Sequence, residues 1–249
     1  MKTILTKIYL HPLLLITIFM FILMGRFKFI LYFMLLIIVH ELGHILMSLF
    51  FKWNIEKIII LPFGGLTKYN QLINTPLMEE FLVSISGILI QTFFYVIINN
   101  YIDYKYFNLI HYFIIIFNLL PIHPLDGSKI LNVVFNKFIS YKNSILLTVI
   151  ISYLTIFFLS LILFNINKIV FMILIFLFIE VNKFYKEKEL LFNKFLFERY
   201  THILKFNKEK VINNVDKMKK DYRHLFYIDN KYMTENTFLK KKFDIKGNL

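Results

Sequence analysis

The sequence predicts an all-α membrane protein. It has six transmembrane helices, a short β-hairpin or re-entrant segment after the second of them, and a small cytosolic C-terminal tail. Three observations carry this. Of 249 residues, 58% are hydrophobic and the mean hydropathy is +0.63, far from the charge balance of a soluble domain this long. Apolar runs of roughly membrane length recur through the first three quarters of the chain. The net charge of +13 is concentrated at one end, with 17 of the 29 Lys and Arg from Lys183 onward.

The first run, residues 8–24, follows Lys2 and Lys7 as a signal peptide would. No small-x-small cleavage site follows it, so it reads as a retained helix. The second, 29–51, carries His40, Glu41 and His44 at its centre. After it, Leu61-Pro62-Phe63-Gly64-Gly65-Leu66-Thr67 reads as an extended segment within the short β-hairpin or re-entrant element. The third, 81–98, contains the small run Ser84-Ile85-Ser86-Gly87 and Gln91, read as helix packing. The fourth, 106–120, ends where Pro121 and Pro124 stop a helix, because proline lacks an N–H and clashes with the preceding turn. The fifth and sixth are 144–164 and 169–183, with Glu180 expected to pair with Lys183. Residues 187–204 alternate charge with Leu190, Leu191, Phe195 and Leu196, as an interfacial amphipathic helix does. The expected division is a membrane domain over 1–185 and a basic cytosolic tail over 186–249.

Six spans put both termini on one side. With a cytosolic N-terminus, 25 basic residues fall inside and only Arg26, Lys28, Lys105 and Lys168 outside, as the positive-inside rule requires. The basic tail suits anionic lipid headgroups, and no nucleic-acid motif accompanies it. The absence of alanine and the abundance of Ile, Phe, Lys and Asn suit an AT-rich bacterial genome. There is no cysteine, which excludes disulfides, thiolate nucleophiles and Cys-ligated metals.

His40-Glu41-Leu42-Gly43-His44 is an HExxH motif inside an apolar run. Ionisable groups at membrane depth are costly and mark function. On a helix His40 and His44 project from one face, where they can hold one zinc ion while Glu41 serves as general base on water. A hydrolytic zinc site takes a third protein ligand. Asp126, in the irregular stretch Asn118-Leu119-Leu120-Pro121-Ile122-His123-Pro124-Leu125-Asp126-Gly127, is presented from a loop at the cytosolic end of the fourth span; His123 is the rival. His44 lies roughly 10 Å before the inner end of its span, and the fourth span also runs outside to inside. Asp126 and the histidines therefore fall on the same side. His11 and His111, near span ends, read as interfacial. Asn118 and the segment around Gly64 and Gly65 have the groups to hold an extended substrate backbone.

An HExxH in an apolar run, followed some 80 residues later by Asn118-x-x-Pro121 and Pro124-Leu125-Asp126-Gly127, resembles the site-2 protease family of intramembrane zinc metalloproteases. Six spans, a Pro62-Phe63-Gly64-Gly65 segment and a cytosolic tail resemble its stage IV sporulation protein FB branch. The resemblance implies one Zn2+ per chain on His40, His44 and Asp126, catalysis by Glu41, and substrate contacts from Asn118, with Phe63, Gly64 and Gly65 beside it. It implies a protein substrate, the precursor of a late sporulation sigma factor, pro-sigma-K. It also implies a mother-cell or forespore-type membrane and inhibitory membrane partner proteins. Family members often read Asp-Gly-Gly where Ser128 follows Gly127 here, and often carry a CBS domain, of which residues 211–243 can be a reduced version. Two other readings stand beside it. One is a site-2 protease that cleaves anti-sigma factors or remnant signal peptides. The other is a metal-binding membrane transporter or sensor, which would not need Glu41.

Overall fold

The structure, a computed structural model, describes residues 7–244 except 62–63, 103, 164–167, 203, 205, 207 and 229. Phe63, expected beside the substrate, lies outside the described residues. The chain divides into two units, and the boundary expected near residue 185 falls inside a continuous helix.

The first unit comprises Met1–Gln71, Phe81–Leu120 and Pro124–Gly127. Its opening run is not one helix. Strand β1 (Ile8–Leu10) is followed by helix α1 (Pro12–Leu23), because proline is tolerated only in the first helical turn. At 12 residues α1 spans about 18 Å, short of a hydrocarbon core of about 30 Å. Helix α2 (Phe27–Phe50) carries the HExxH motif. Strand β2 (Ile55–Leu61) pairs in parallel with β1, Ile8 opposite Ile58, and antiparallel with β3 (Gly64–Tyr69). The sheet order β1-β2-β3 leaves β3 at an edge. Helix α3 (Leu77–Ile98) starts beyond this unit, and α4 (Phe107–Leu119) ends just before Pro121.

Leu14 of α1, Leu36 and Ile37 of α2 and Ile110 and Ile114 of α4 form a buried core, so α2 is gripped between its neighbours. The approach of α3 to α2 depends on two glycines. A Cβ at Gly43 would meet the Ser86 carbonyl oxygen at 2.5 Å, and one at Gly87 would meet His44 Nε2 at 2.4 Å. The small run in α3 thus lets its backbone lie against the metal-binding face of α2.

The second unit comprises Leu72–Glu80, Pro121–His123 and Ser128–Leu249. It holds most of α5 (Asp126–Phe138), then α6 (Tyr141–Leu163) and α7 (Lys168–Thr201). Helix α7 contains the expected sixth span and runs on through the stretch expected to be a separate amphipathic helix. Strands β4 (Glu209–Ile212) and β5 (Arg223–Ile228) are parallel, β6 (Lys231–Thr234) is antiparallel to β5, and α8 (Glu235–Asp244) follows. Tyr141, Phe195, Leu196, Met218, Phe226 and Leu239 are buried together, so the tail folds back on α6 and α7. Arg199, only 2% exposed, donates to Glu235 at 3.1 Å, to the Tyr222 carbonyl at 2.8 Å and to Asn74 Oδ1 at 2.8 Å. No ion pair joins Glu180 to Lys183 among the described residues; Lys183 is exposed.

Among the described residues α2, α3 and α6 are long and apolar enough to cross a membrane, and α1 and α4 are shorter apolar helices. The outward faces of α3 and α6 are themselves apolar. Phe93 (67% exposed) and Ile162 (65%) would be poor water-facing residues and good lipid-facing ones.

Candidate metal centre

Helix α2 sets the first two donors. Four residues apart, His40 and His44 stand on one face with ring centroids 4.8 Å apart. The third arrives from α5. Asp126 is the first residue of that helix, not part of a loop as the prolines suggested, and a carboxylate is favoured at a helix N-terminus. The turn leading into it is tight: a Cβ at Gly127 would meet the Leu119 carbonyl oxygen at 2.1 Å, so only glycine fits.

Asp126 Oδ2 lies 3.1 Å from His40 Nε2 and 2.9 Å from His44 Nε2, and the two Nε2 atoms are 3.1 Å apart. All three residues are at most 5% exposed. The protonation of the rings follows from their other nitrogens. His44 Nδ1 is 2.7 Å from the Val83 carbonyl oxygen, which can only accept, so Nδ1 carries the hydrogen. His40 Nδ1 is likewise 3.0 Å from Gln91 Oε1, whose amide nitrogen donates at 3.4 Å to the His111 carbonyl. With Nδ1 donating outward, each ring has its Nε2 turned inward, where it can offer a lone pair to a metal ion. Two imidazole nitrogens and a carboxylate oxygen thus converge on one point, a donor set suited to a single cation. Tetrahedral zinc with bonds of about 2.0–2.1 Å spaces its ligands by about 3.3 Å. The donor set, the spacing and the burial fit that ion, and among the described residues these three are the side chains grouped to hold one.

His123, the rival ligand, does not join them. Its ring stacks on Phe184 at 4.0 Å and 8°, and its backbone N–H donates to Ser152. Burial, with the charges of Lys129 and Lys183, pushes its imidazole down to about 3, so it is neutral at physiological pH.

Glu41, 5% exposed, lies next to β3. Thr67 Oγ1 donates to its Oε2 at 3.0 Å. A Cβ on Gly65 would fall 2.1 Å from the Glu41 carboxyl carbon, and one on Gly64 would fall 3.2 Å from Asn118 Oδ1. The two glycines thus let β3 run alongside Glu41 and Asn118. Asn118 Nδ2 donates to the Ile114 carbonyl at 2.9 Å; the carbonyl freed by Pro121, that of Phe117, is taken by the Leu120 N–H instead. His111, expected at an interface, is buried and stacked on Tyr95 at 3.8 Å.

Sequence reasoning did not assign Gln91 and Thr67 their parts. Gln91 was visible as an amide in an apolar run, and a packing role accounts for it equally well until its contact with His40 is known.

A buried two-histidine, one-carboxylate cluster with a glutamate between the histidines is a donor set that can hold one metal ion with a carboxylate base beside it. Residues 28–104, which take in nearly all of α2 and the whole of β2, β3 and α3, match the family described as Peptidase family M50. It is 35% identical over 146 residues to stage IV sporulation protein FB of Bacillus subtilis, covering 55% of this chain and 51% of that protein. It is 31% identical over 117 residues to a zinc metalloprotease of Methanocaldococcus jannaschii, covering 43% of this chain and 34% of that one. The chain therefore spans about half or less of the length of the curated relatives it matches. Among solved structures, the site-2 protease from Methanocaldococcus jannaschii shares the fold, with a TM-score of 0.58 and 24% identity over 71% of this chain and 89% of that one.

Proposed function

We propose that this protein is an intramembrane zinc endopeptidase that activates a sporulation sigma-factor precursor, pro-sigma-K, by removing its pro-sequence. The observation that carries the catalytic part is the convergence of two imidazole lone pairs and the Asp126 carboxylate beside Glu41. The substrate class rests on likeness to a protein named for sporulation.

A zinc ion bound by His40, His44 and Asp126 supplies a Lewis acid that acidifies water and polarises a peptide carbonyl. The remaining work falls to the chain. Glu41 takes a proton from water and returns it to the leaving amine. Thr67 occupies Oε2 and holds the carboxylate in place. Burial excludes bulk water around the pair. A helical peptide hides its carbonyls, so the substrate must be extended. The edge strand β3 offers a place for it to add as a further strand, with Gly64 and Gly65 permitting close approach and Asn118 beside them. Phe63 belongs to the same segment.

The chain crosses a bacterial mother-cell or forespore-type membrane six times, with α1 and α4 as short crossings eased by local bilayer thinning and both termini in the cytosol. Residues 1–185 are the protease domain and 186–249 the cytosolic tail. The β4-β5-β6 arrangement with α8 behind it supports reading the tail as a reduced CBS-like module. Inhibitory membrane proteins are its expected partners.

Co-expression with the sigma-factor precursor tests the reading. The intact chain should shorten the precursor and Glu41→Gln should not. Cleavage by that variant, or none by the intact chain, would refute it.

A further inference from the structure

Helix α6 is 23 residues of apolar sequence, long enough to cross a membrane, so its first residues lie at a membrane surface. At that end is a cleft of about 550 Å3, lined by Ser140 and Asn143 at the start of α6 and by Lys210, Lys217, Lys219 and Tyr227 from the folded tail. Three lysines line it and no carboxylate does.

The lysine charges are not cancelled locally. Lys217 Nζ donates to Asn213 Oδ1 at 2.9 Å and Lys219 Nζ to the Phe138 carbonyl, both neutral acceptors. Among the described residues none of the three pairs with a carboxylate. The neighbouring Asp216 is engaged by Lys142 at 3.1 Å. Burial and the charge of Lys210 hold the Lys219 ammonium below its ordinary value, which marks a spot that lacks a counter-ion. Ser140, 7% exposed, has a hydroxyl with no hydrogen-bond partner in the structure. The start of a long helix adds the positive end of its dipole.

We propose that this cleft binds a phosphate group, and that the bearer is the headgroup of an anionic phospholipid in the membrane that α6 enters. Three ammonium groups, a hydroxyl and an amide suit a tetrahedral oxyanion with several acceptor oxygens. A headgroup is the phosphate found where a membrane helix begins. The inference rests on the crossing by α6 and not on peptide hydrolysis.

The test uses the full chain in detergent, with bound lipid read by native mass spectrometry against phosphatidylglycerol and phosphatidylcholine. The intact chain should retain phosphatidylglycerol selectively. Lys210→Gln with Lys219→Gln should lower that retention about tenfold, and the exposed Lys217→Gln should lower it in the same direction. Lys231→Gln with Lys240→Gln removes equal charge elsewhere and should change it little. Equal losses in the two double variants, or no preference over phosphatidylcholine, would overturn the proposal. A soluble arm with glycerol phosphate separates the sources. Competition with phosphatidylglycerol supports one shared phosphate site, and binding of glycerol phosphate without any lipid retention removes the headgroup assignment. Peptide cleavage is not read here, so either result leaves the protease reading to its own test.

Discussion

At the scale of single residues, the centre separates holding the ion from using it. Glu41 is held by a hydrogen bond from Thr67, outside the group of three ligand atoms. Glu41→Gln should therefore retain zinc while hydrolysis falls at least about a hundredfold, checked by metal content and precursor cleavage on the same preparation. Asp126→Asn should lower both, whereas His123→Ala should leave zinc content intact, since His123 stacks on Phe184. Gln91 is a positioning residue: its Oε1 fixes the tautomer of His40. Gln91→Leu should weaken zinc affinity about 10–100-fold in a chelator competition; unchanged affinity would return Gln91 to plain packing. Gly65→Ala should reduce cleavage with zinc retained, because the added methyl collides with the Glu41 carboxylate.

At the scale of elements, one buried ionic cluster ties α7 to the strands and last helix of the tail. Burial pushes the Glu235 carboxyl up, but the hydrogen bond with His224 and the charge of Arg199 outweigh it and hold the group below its ordinary value. Burial, with the Arg199 charge, pushes the His224 imidazole down despite Glu235. Both folded-state values are depressed, so both contributions are present above the unfolded values and are lost as pH falls. His224 acts below its ordinary value of 6.5 and Glu235 below its ordinary value of 4.5. Melting temperature should thus drop in two stages on acidification. Arg199→Met removes the buried cation and leaves Glu235 unpaired, which should cost about 3–5 kcal/mol. A change under about 1 kcal/mol in denaturant unfolding would show that the cluster is not what orders these strands.

At the scale of the whole molecule, the tail shares a buried core with α6 and α7. Phe192, Phe195 and Leu196 in the latter part of α7 are buried with Tyr141 and Ile145 at the start of α6 and with Phe226 and Leu239 of the tail. Truncation after residue 186 would strip that cover from α6, so it should reduce expression and melting temperature as well as substrate capture. The continuity of α7 was hidden in the sequence. A run that changes from apolar to alternating charge reads as two helices, but no glycine or proline interrupts residues 168–201 to stop one. The short α1 was partly legible, since Pro12 marks a helix start, yet nothing local shows that Ile8–Leu10 will add to a strand some 50 residues away.

The sequence alone determined the chemistry of α2. The distance between His40 and His44 is a property of one helix turn, and the apolar run around them is plain in the sequence. It could name Asp126 and Asn118 as partners but not where their atoms lie. Only the tertiary structure decided that Asp126 heads a helix and turns its oxygen to both rings. Only it showed that Gln91 and the Val83 carbonyl set the tautomers, and that β3 passes beside Glu41. Such placements depend on packing between segments tens of residues apart, which bring three metal-ligating atoms to one buried point.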